Sequence, residues 1–301
     1  METRSRETTL AAACMHVVHD KKKNTAKYVE FIEEAANQKV DLLVFPEVSL
    51  QGYLRKMSEV DYASRKDQIH YYLSEGEKVP GPTTELICEY AKKHNMYIQF
   101  GLAEINQAET AVYNSAVLIG PEGIIGIFRK VHANGESPPF RPGIAFKAFD
   151  TALGRVGPLI CADLCYPESI RILAVQGAII GTMSTAYPMV EDGDPLEDYN
   201  AYLYRTYANA QAAMSQLWLV QSNHIGRSDA KGASHYFGNS RIVSPWGKVV
   251  AECGYQETLV TATVDLWGEI YKVRSWDRNL ADRRPELYGI LTKQDGSYGP
   301  F

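Results

Sequence analysis

The sequence predicts an α/β protein of four layers, αββα, with two mixed sheets stacked face to face and helices outside. Three observations lead there. Short apolar runs alternate with amphipathic stretches, the pattern of sheets carrying crossover helices. The strand-like runs are apolar at nearly every position, as strands are when both faces are covered. The order of elements in the first half also recurs in the second, so the chain reads as an internal duplication folded into one unit.

In the first half, 10–15 reads as a buried strand. Asn24 offers a helix N-cap, followed by an apolar face of Val29, Ile32, Ala35 and Ala36. A second strand, 40–45, runs into Pro46-Glu47. A helix over 83–93 turns Leu86, Ile87 and Tyr90 inward, and 96–101 is a strand. Residues 115–119, the turn Gly120-Pro121-Glu122-Gly123 and 124–128 form a hairpin.

The second half has a strand at 157–161, a helix at 167–176 beginning with Pro, and a strand at 178–183. A long Ala- and Tyr-rich helix follows at 199–214, then a strand at 217–222. A second hairpin joins 240–243 to 248–251 through Ser244-Pro245-Trp246-Gly247, and 258–264 closes the sheet. Pro158 lies inside the strand leading to Cys161. Proline cannot donate to a ladder, so that strand is at an edge there or irregular. No linker-like composition separates the halves. A single domain is expected over 1–301, with a core of approximately 9–290 and a tail over 291–301.

With 301 residues, 45% hydrophobic and 22% charged, the composition is that of an ordinary globular protein. A net charge of -5 with mixed signs gives no reason to expect nucleic acid as a partner. No run approaches membrane-spanning length, and the charged start does not read as a signal peptide. Five scattered cysteines fit reduced thiols in a cytoplasmic protein better than a disulfide framework. Nothing calls for a metal or nucleotide cofactor: Cys161 and Cys165 have no second ligand pair at zinc spacing, and there is no Gly-rich phosphate loop.

Three reactive residues end or follow apolar runs: Glu47 after 42–46, Lys130 after 124–129, and Cys161 after 156–160. The carboxyl ends of strands are where α/β sheets build sites. A carboxylate, an ammonium and a thiol brought together there supply a base, an anion stabiliser and a nucleophile, the set needed for acyl transfer at a carbon–nitrogen bond. Cys161, at a turn ahead of a helix, is expected to lie near backbone N–H groups and the positive end of a dipole, both of which favour thiolate. Each residue has a plainer reading alone: Cys161 as a small core residue, Glu47 as a solvated strand end, Lys130 as half of a surface pair with Arg129. Cys165 competes as nucleophile, but no strand presents it; it reads as a wall or packing residue. His132 shares a face with Lys130 only if the strand continues, and reads as structural. Glu136, in a Pro- and Gly-rich loop over 133–143, is either solvated or a partner for Lys130 that orients substrate and water. Tyr53, Phe140 and Tyr187 stand beside these segments and are the expected pocket walls.

Together the segments Phe45-Pro46-Glu47, Arg129-Lys130-Val131-His132 and 159–168 resemble the three signature regions of the nitrilase superfamily of carbon–nitrogen hydrolases. The resemblance covers nearly the whole chain. It includes Tyr113-Asn114-Ser115-Ala116, the loop 136–143, Asn223 after a strand, and 282–288. It implies the αββα sandwich, a Glu47–Lys130–Cys161 triad assisted by Glu136, a small-molecule amide as substrate, no cofactor, and pairing of subunits into an eight-layered homodimer, often extended further. Ala162 would offer its N–H beside Lys130 to the oxyanion.

The departures narrow the expectation. Residues Ala162-Asp163-Leu164 follow the nucleophile, as in amidase-like and carbamoylase-like branches and not as in true nitrilases. Cys165 stands where many of those branches carry Arg, which weakens the case for a carboxylate-bearing substrate held in that way; Arg205 could substitute. The acidic stretch around 191–197, with Glu191, Asp192, Asp194 and Glu197, is either a solvated loop or a rim that disfavours anions. The expected activity is therefore hydrolysis of a small amide through a cysteine thioester. The alternatives are an N-carbamoyl hydrolase, and a non-catalytic member of the fold that binds a small molecule or a protein.

Overall fold

Uniformly apolar strands need cover on both faces, and here two six-stranded sheets provide it for each other. The computed structural model describes residues 7–54, 62–133, 135–190, 193–228 and 234–293. In chain order the first half runs β1 (Glu7–Cys14), α1 (Lys21–Asn37), β2 (Leu42–Val44), α2 (Tyr62–Glu75), α3 (Pro82–His94), β3 (Tyr97–Ile105), β4 (Val112–Gly120) and β5 (Gly123–Arg129). The second runs β6 (Phe149–Thr151), β7 (Gly154–Ile160), a 3-10 turn (Cys161–Cys165), α4 (Pro167–Val175), β8 (Ala178–Thr185), α5 (Tyr199–Ser215), β9 (Trp218–Asn223), β10 (Ile225–Arg227), β11 (His235–Phe237), β12 (Arg241–Val243), β13 (Val249–Glu252), β14 (Thr258–Asp265) and α6 (Leu266–Trp276).

The first sheet has the order β14-β1-β2-β3-β4-β5 and the second β6-β7-β8-β9-β12-β13. In each, two parallel pairings at the centre are flanked by antiparallel partners, so the topology of one half repeats in the other. Leu10, Ala12, Leu42, Val44 and Leu118 of the first sheet meet Val156, Ile180, Trp218, Val220 and Ile242 of the second. Outside this seam, α1 and α3 cover the first sheet and α4 and α5 the second, completing the four layers.

Several elements differ from expectation. The N-cap of α1 is Asp20, which accepts from the N–H groups of Lys22 and Lys23. Asn24 is buried within the helix and spends its amide on Val18 and Leu50. The last strand, β14, crosses to the first sheet and pairs antiparallel with β1 along its length. Helix α2 and the short strands β6, β10 and β11 have no clear pattern in the sequence. Pro158 lies opposite Thr182 of β8, while β6 reaches β7 only at 154–156. At Pro158 the other side of β7 is therefore an edge, where a missing N–H leaves no ladder bond unmade. The tail expected over 291–301 lies outside the described residues from 294 onward.

Candidate active site

Strands β2, β5 and β7 each stop just short of a reactive side chain: Glu47, Lys130 and Cys161. Glu47 is fully buried and Lys130 is 3% exposed, so neither is the solvated residue its type suggests. Strand alternation separates Lys130 from Arg129, which turns the other way into a two-pronged ion pair with Glu104 and stacks over Tyr113. The Lys130 ammonium donates to Glu47 Oε1 at 2.7 Å and also to Glu136 Oε1. Asn114, on β4, donates through Nδ2 to the same Glu47 oxygen at 2.7 Å and to Glu136 Oε2 at 3.2 Å. One amide and one ammonium therefore hold both carboxylates, while Glu47 Oε2 is buried and has no partner among the described residues.

The backbone around these groups is strained and closely packed. Val48, next to Glu47, has φ 45°, and Cys161 has φ 47°. Left-handed geometry at non-glycine residues, worst for a β-branched one, costs on the order of 1–3 kcal/mol and persists only where the surroundings enforce it. The Glu47 bend is pinned from three sides. Its N–H donates to the Thr185 carbonyl at 3.3 Å, its carbonyl accepts from His224 Nε2 at 2.6 Å, and Gly101 of β3 lies directly beneath. The loop after β5 folds back so that the Gly143 N–H meets the Lys130 carbonyl at 2.7 Å and the Glu136 N–H the Ala133 carbonyl at 2.7 Å, which sets Glu136 over Lys130. Asp163, buried in the 3-10 turn, accepts from His132 N at 2.9 Å, His132 Nδ1 at 2.8 Å and Ile160 N at 3.3 Å. It ties the segment after Lys130 to the turn that carries Cys161.

Charge and burial set the protonation states. Burial, then the Glu47 carboxylate, pushes the Cys161 thiol well above its ordinary value; Lys130 and a hydrogen bond from Ala186 only partly oppose this. The helix-dipole support expected for Cys161 is weak here, since α4 begins only at Pro167, and the raised thiol needs a base to take its proton. For Lys130, burial alone would lower the pKa, but Glu136 and Glu47 reverse this and hold it charged. Burial raises Glu136 to about 7, with Lys130 opposing and Glu47 reinforcing.

Above Cys161 lies a cavity of about 170 Å³, lined in part by Tyr53, Glu136, Ala162, Cys165, Tyr187 and Tyr207. Tyr53, Ala162 and Tyr187 are thus at the walls. Phe140 does not line it; it packs on Tyr72, Val48, Ala103 and Val112, with ring centroids 4.6 Å from Tyr72, and anchors the loop bearing Glu136. Cys165 Sγ shares a 3.0 Å hydrogen bond with the Tyr187 hydroxyl. Asn223 Oδ1 accepts from the Tyr187 N–H at 2.9 Å and so fixes that wall. Asp194 and Glu197 are exposed and do not line the cavity; Glu191 and Asp192 lie outside the described residues. Asn114, Asp163 and His224 were not singled out as site residues from sequence. Asn114 and Asp163 fall inside motifs already noted, and that position was the available signal.

The profile of the carbon–nitrogen hydrolase family matches residues 9–272. A nitrilase from Pyrococcus abyssi is 32% identical over 276 residues, 88% of this chain and 93% of that one. Omega-amidase NIT2-B from Xenopus laevis is 27% identical over 286 residues, 91% and 94% of the two chains. The crystal structure of a carbon-nitrogen hydrolase from Helicobacter pylori superposes with a TM-score of 0.82 at 25% identity, covering 96% of this chain and 99% of that one. The chain belongs to the carbon–nitrogen hydrolase family, within the nitrilase superfamily.

Proposed function

We propose that the protein hydrolyses the carbon–nitrogen bond of a small linear amide through a thioester on Cys161. The observation that carries this reading is the division of labour in Glu47: Oε1 is occupied by Lys130 and Asn114, and Oε2 is buried and unclaimed among the described residues. A buried thiol with a raised pKa needs such an acceptor when it attacks. Sulfur adds to the substrate carbonyl carbon as Glu47 takes the thiol proton. Lys130 and the Ala162 N–H stabilise the tetrahedral oxyanion. Collapse breaks the carbon–nitrogen bond, and Glu47 hands the proton to the departing ammonia or amine. Water, deprotonated by Glu47 and oriented by Glu136, then splits the thioester, releasing the acid and restoring the thiol. Relatives named amidase and omega-amidase support amide chemistry.

The test compares ammonia release from short neutral amides and from matched carbamoyl amino acids. Cys161→Ala should abolish turnover with unchanged melting, and intact-mass analysis should find the acyl adduct on Cys161. Loss of turnover in Cys165→Ala but not in Cys161→Ala would overturn the assignment. Release of carbon dioxide with ammonia from the carbamoyl compounds would favour the N-carbamoyl hydrolase.

A further inference from the structure

Resting on the hydrolase reading above, we propose that the cavity over Cys161 selects small uncharged amides with a short apolar or flat acyl group, and that it excludes amides whose acyl chain ends in a carboxylate. A cavity of about 170 Å³ has room for roughly six water-sized groups, enough for an amide and a short chain or small ring. Its walls are the tyrosines 53, 187, 207 and 236 with Leu203 and Pro188. Such rings offer flat apolar contact to a neutral group.

Among the described residues the polar side chains of the wall other than Glu136 are neutral, and some are already engaged. Cys165 and the Tyr187 hydroxyl satisfy each other at 3.0 Å. Asn200 Nδ2 donates to the Pro188 carbonyl at 3.1 Å. Among the described residues none that lines the cavity is Lys, Arg or His. The Lys130 ammonium is held by two carboxylates. Arg205 does not line the cavity. A second carboxylate would enter beside Glu136 with its charge uncompensated, and burying an unpaired charge is strongly unfavourable. Burial also pushes the Tyr53 and Tyr187 hydroxyls further above their ordinary value, the response of surroundings that resist negative charge.

Two measurements on the native chain test this and separate it from the hydrolase reading. The first is alkylation of Cys161 by neutral iodoacetamide and anionic iodoacetate, followed by peptide mass. In both, sulfur bonds to the methylene carbon, the carbon–iodine bond breaks, iodide leaves and the thiol proton is lost. The neutral reagent's rate advantage at Cys161 should exceed its advantage with free N-acetylcysteine by on the order of tenfold or more. The second is kcat/KM for butyramide against succinamate, which should favour butyramide by a similar factor, chiefly through KM. Cys165→Arg, if its melting shows it folded, should bring both ratios back towards unity. Equal treatment of the charged and neutral members in either measurement overturns the proposal while leaving the hydrolase reading intact. A skewed alkylation ratio with no ammonia from either amide sinks the hydrolase reading, and the substrate assignment with it.

Discussion

Gly101 lies so close under Glu47 that a Cβ built on it would sit 2.9 Å from the Glu47 Cα, 2.5 Å from the Pro46 carbonyl oxygen and 2.6 Å from Val48 N. The close atoms are backbone and cannot swing aside. Gly101→Ala should therefore lift the Glu47 bend off β3. A displacement near 1 Å at a reacting group costs about a hundredfold in rate, and overpacking costs about 1–3 kcal/mol. The expected result is a kcat lower by about that factor in a protein that still unfolds cooperatively in urea. Near-native kcat would show that the bend is not set by this contact.

Glu47→Gln keeps an acceptor for Asn114 and Lys130 but removes the basic oxygen. Turnover should drop by roughly a hundred- to ten-thousandfold, the usual contribution of a general base. Far-ultraviolet circular dichroism should be unchanged. Native turnover by this variant would remove Glu47 from the proton path.

Asp163 bonds three N–H groups from two segments. Asp163→Ala should lower stability by about 3 kcal/mol, the scale of lost bonds to a charged acceptor. It should reduce kcat more than it raises KM, because it loosens Cys161 relative to Lys130 without touching the cavity walls. Asp163→Asn, whose amide oxygen can still accept both bonds from His132 but whose nitrogen cannot accept from Ile160, should recover part of both. Urea midpoints and steady-state kinetics together check this.

Two buried groups tilt stability against pH in opposite senses. Glu136 is raised to about 7 from an ordinary 4.5, so its contribution is complete below 4.5 and is lost as pH rises through 7. His224 is lowered to about 4 from 6.5, chiefly by burial, so its contribution is complete above 6.5 and is lost as pH falls through 4. Each shift corresponds to roughly 3 kcal/mol. Glu136→Gln should make stability climb more steeply between pH 4.5 and 7, and His224→Gln should make it climb less or fall. Urea titrations across that range read both, and parallel curves for the two variants would contradict the assignment.

The sheets and the three reactive strand ends were legible because continuous apolar runs end on polar residues that such runs seldom tolerate, as at Phe45-Pro46-Glu47. The repeated turn sequences at 120–123 and 244–247 marked the hairpins for the same local reason. What escaped depends on long-range contact. Nothing near Thr258 says that β14 will return to β1. Asp20 and Asn24 are both competent caps, and only the buried carbonyls of Val18 and Leu50 decide between them. Phe140 looked like a wall because it neighbours Glu136, yet its ring turns towards Tyr72. The opposition of Glu47 to ionisation of the Cys161 thiol was not legible either, because that carboxylate comes from the other sheet.

Glu47 and Lys130 are carried by one stacked sheet and Cys161 by the other, so neither repeat of the duplicated topology owns a complete reaction centre. The seam between the layers is thus a chemical junction as well as a mechanical one. Slippage of one layer over its mate by a fraction of a side chain would leave helices and strands intact and the molecule inert. On warming, loss of turnover should precede loss of secondary structure.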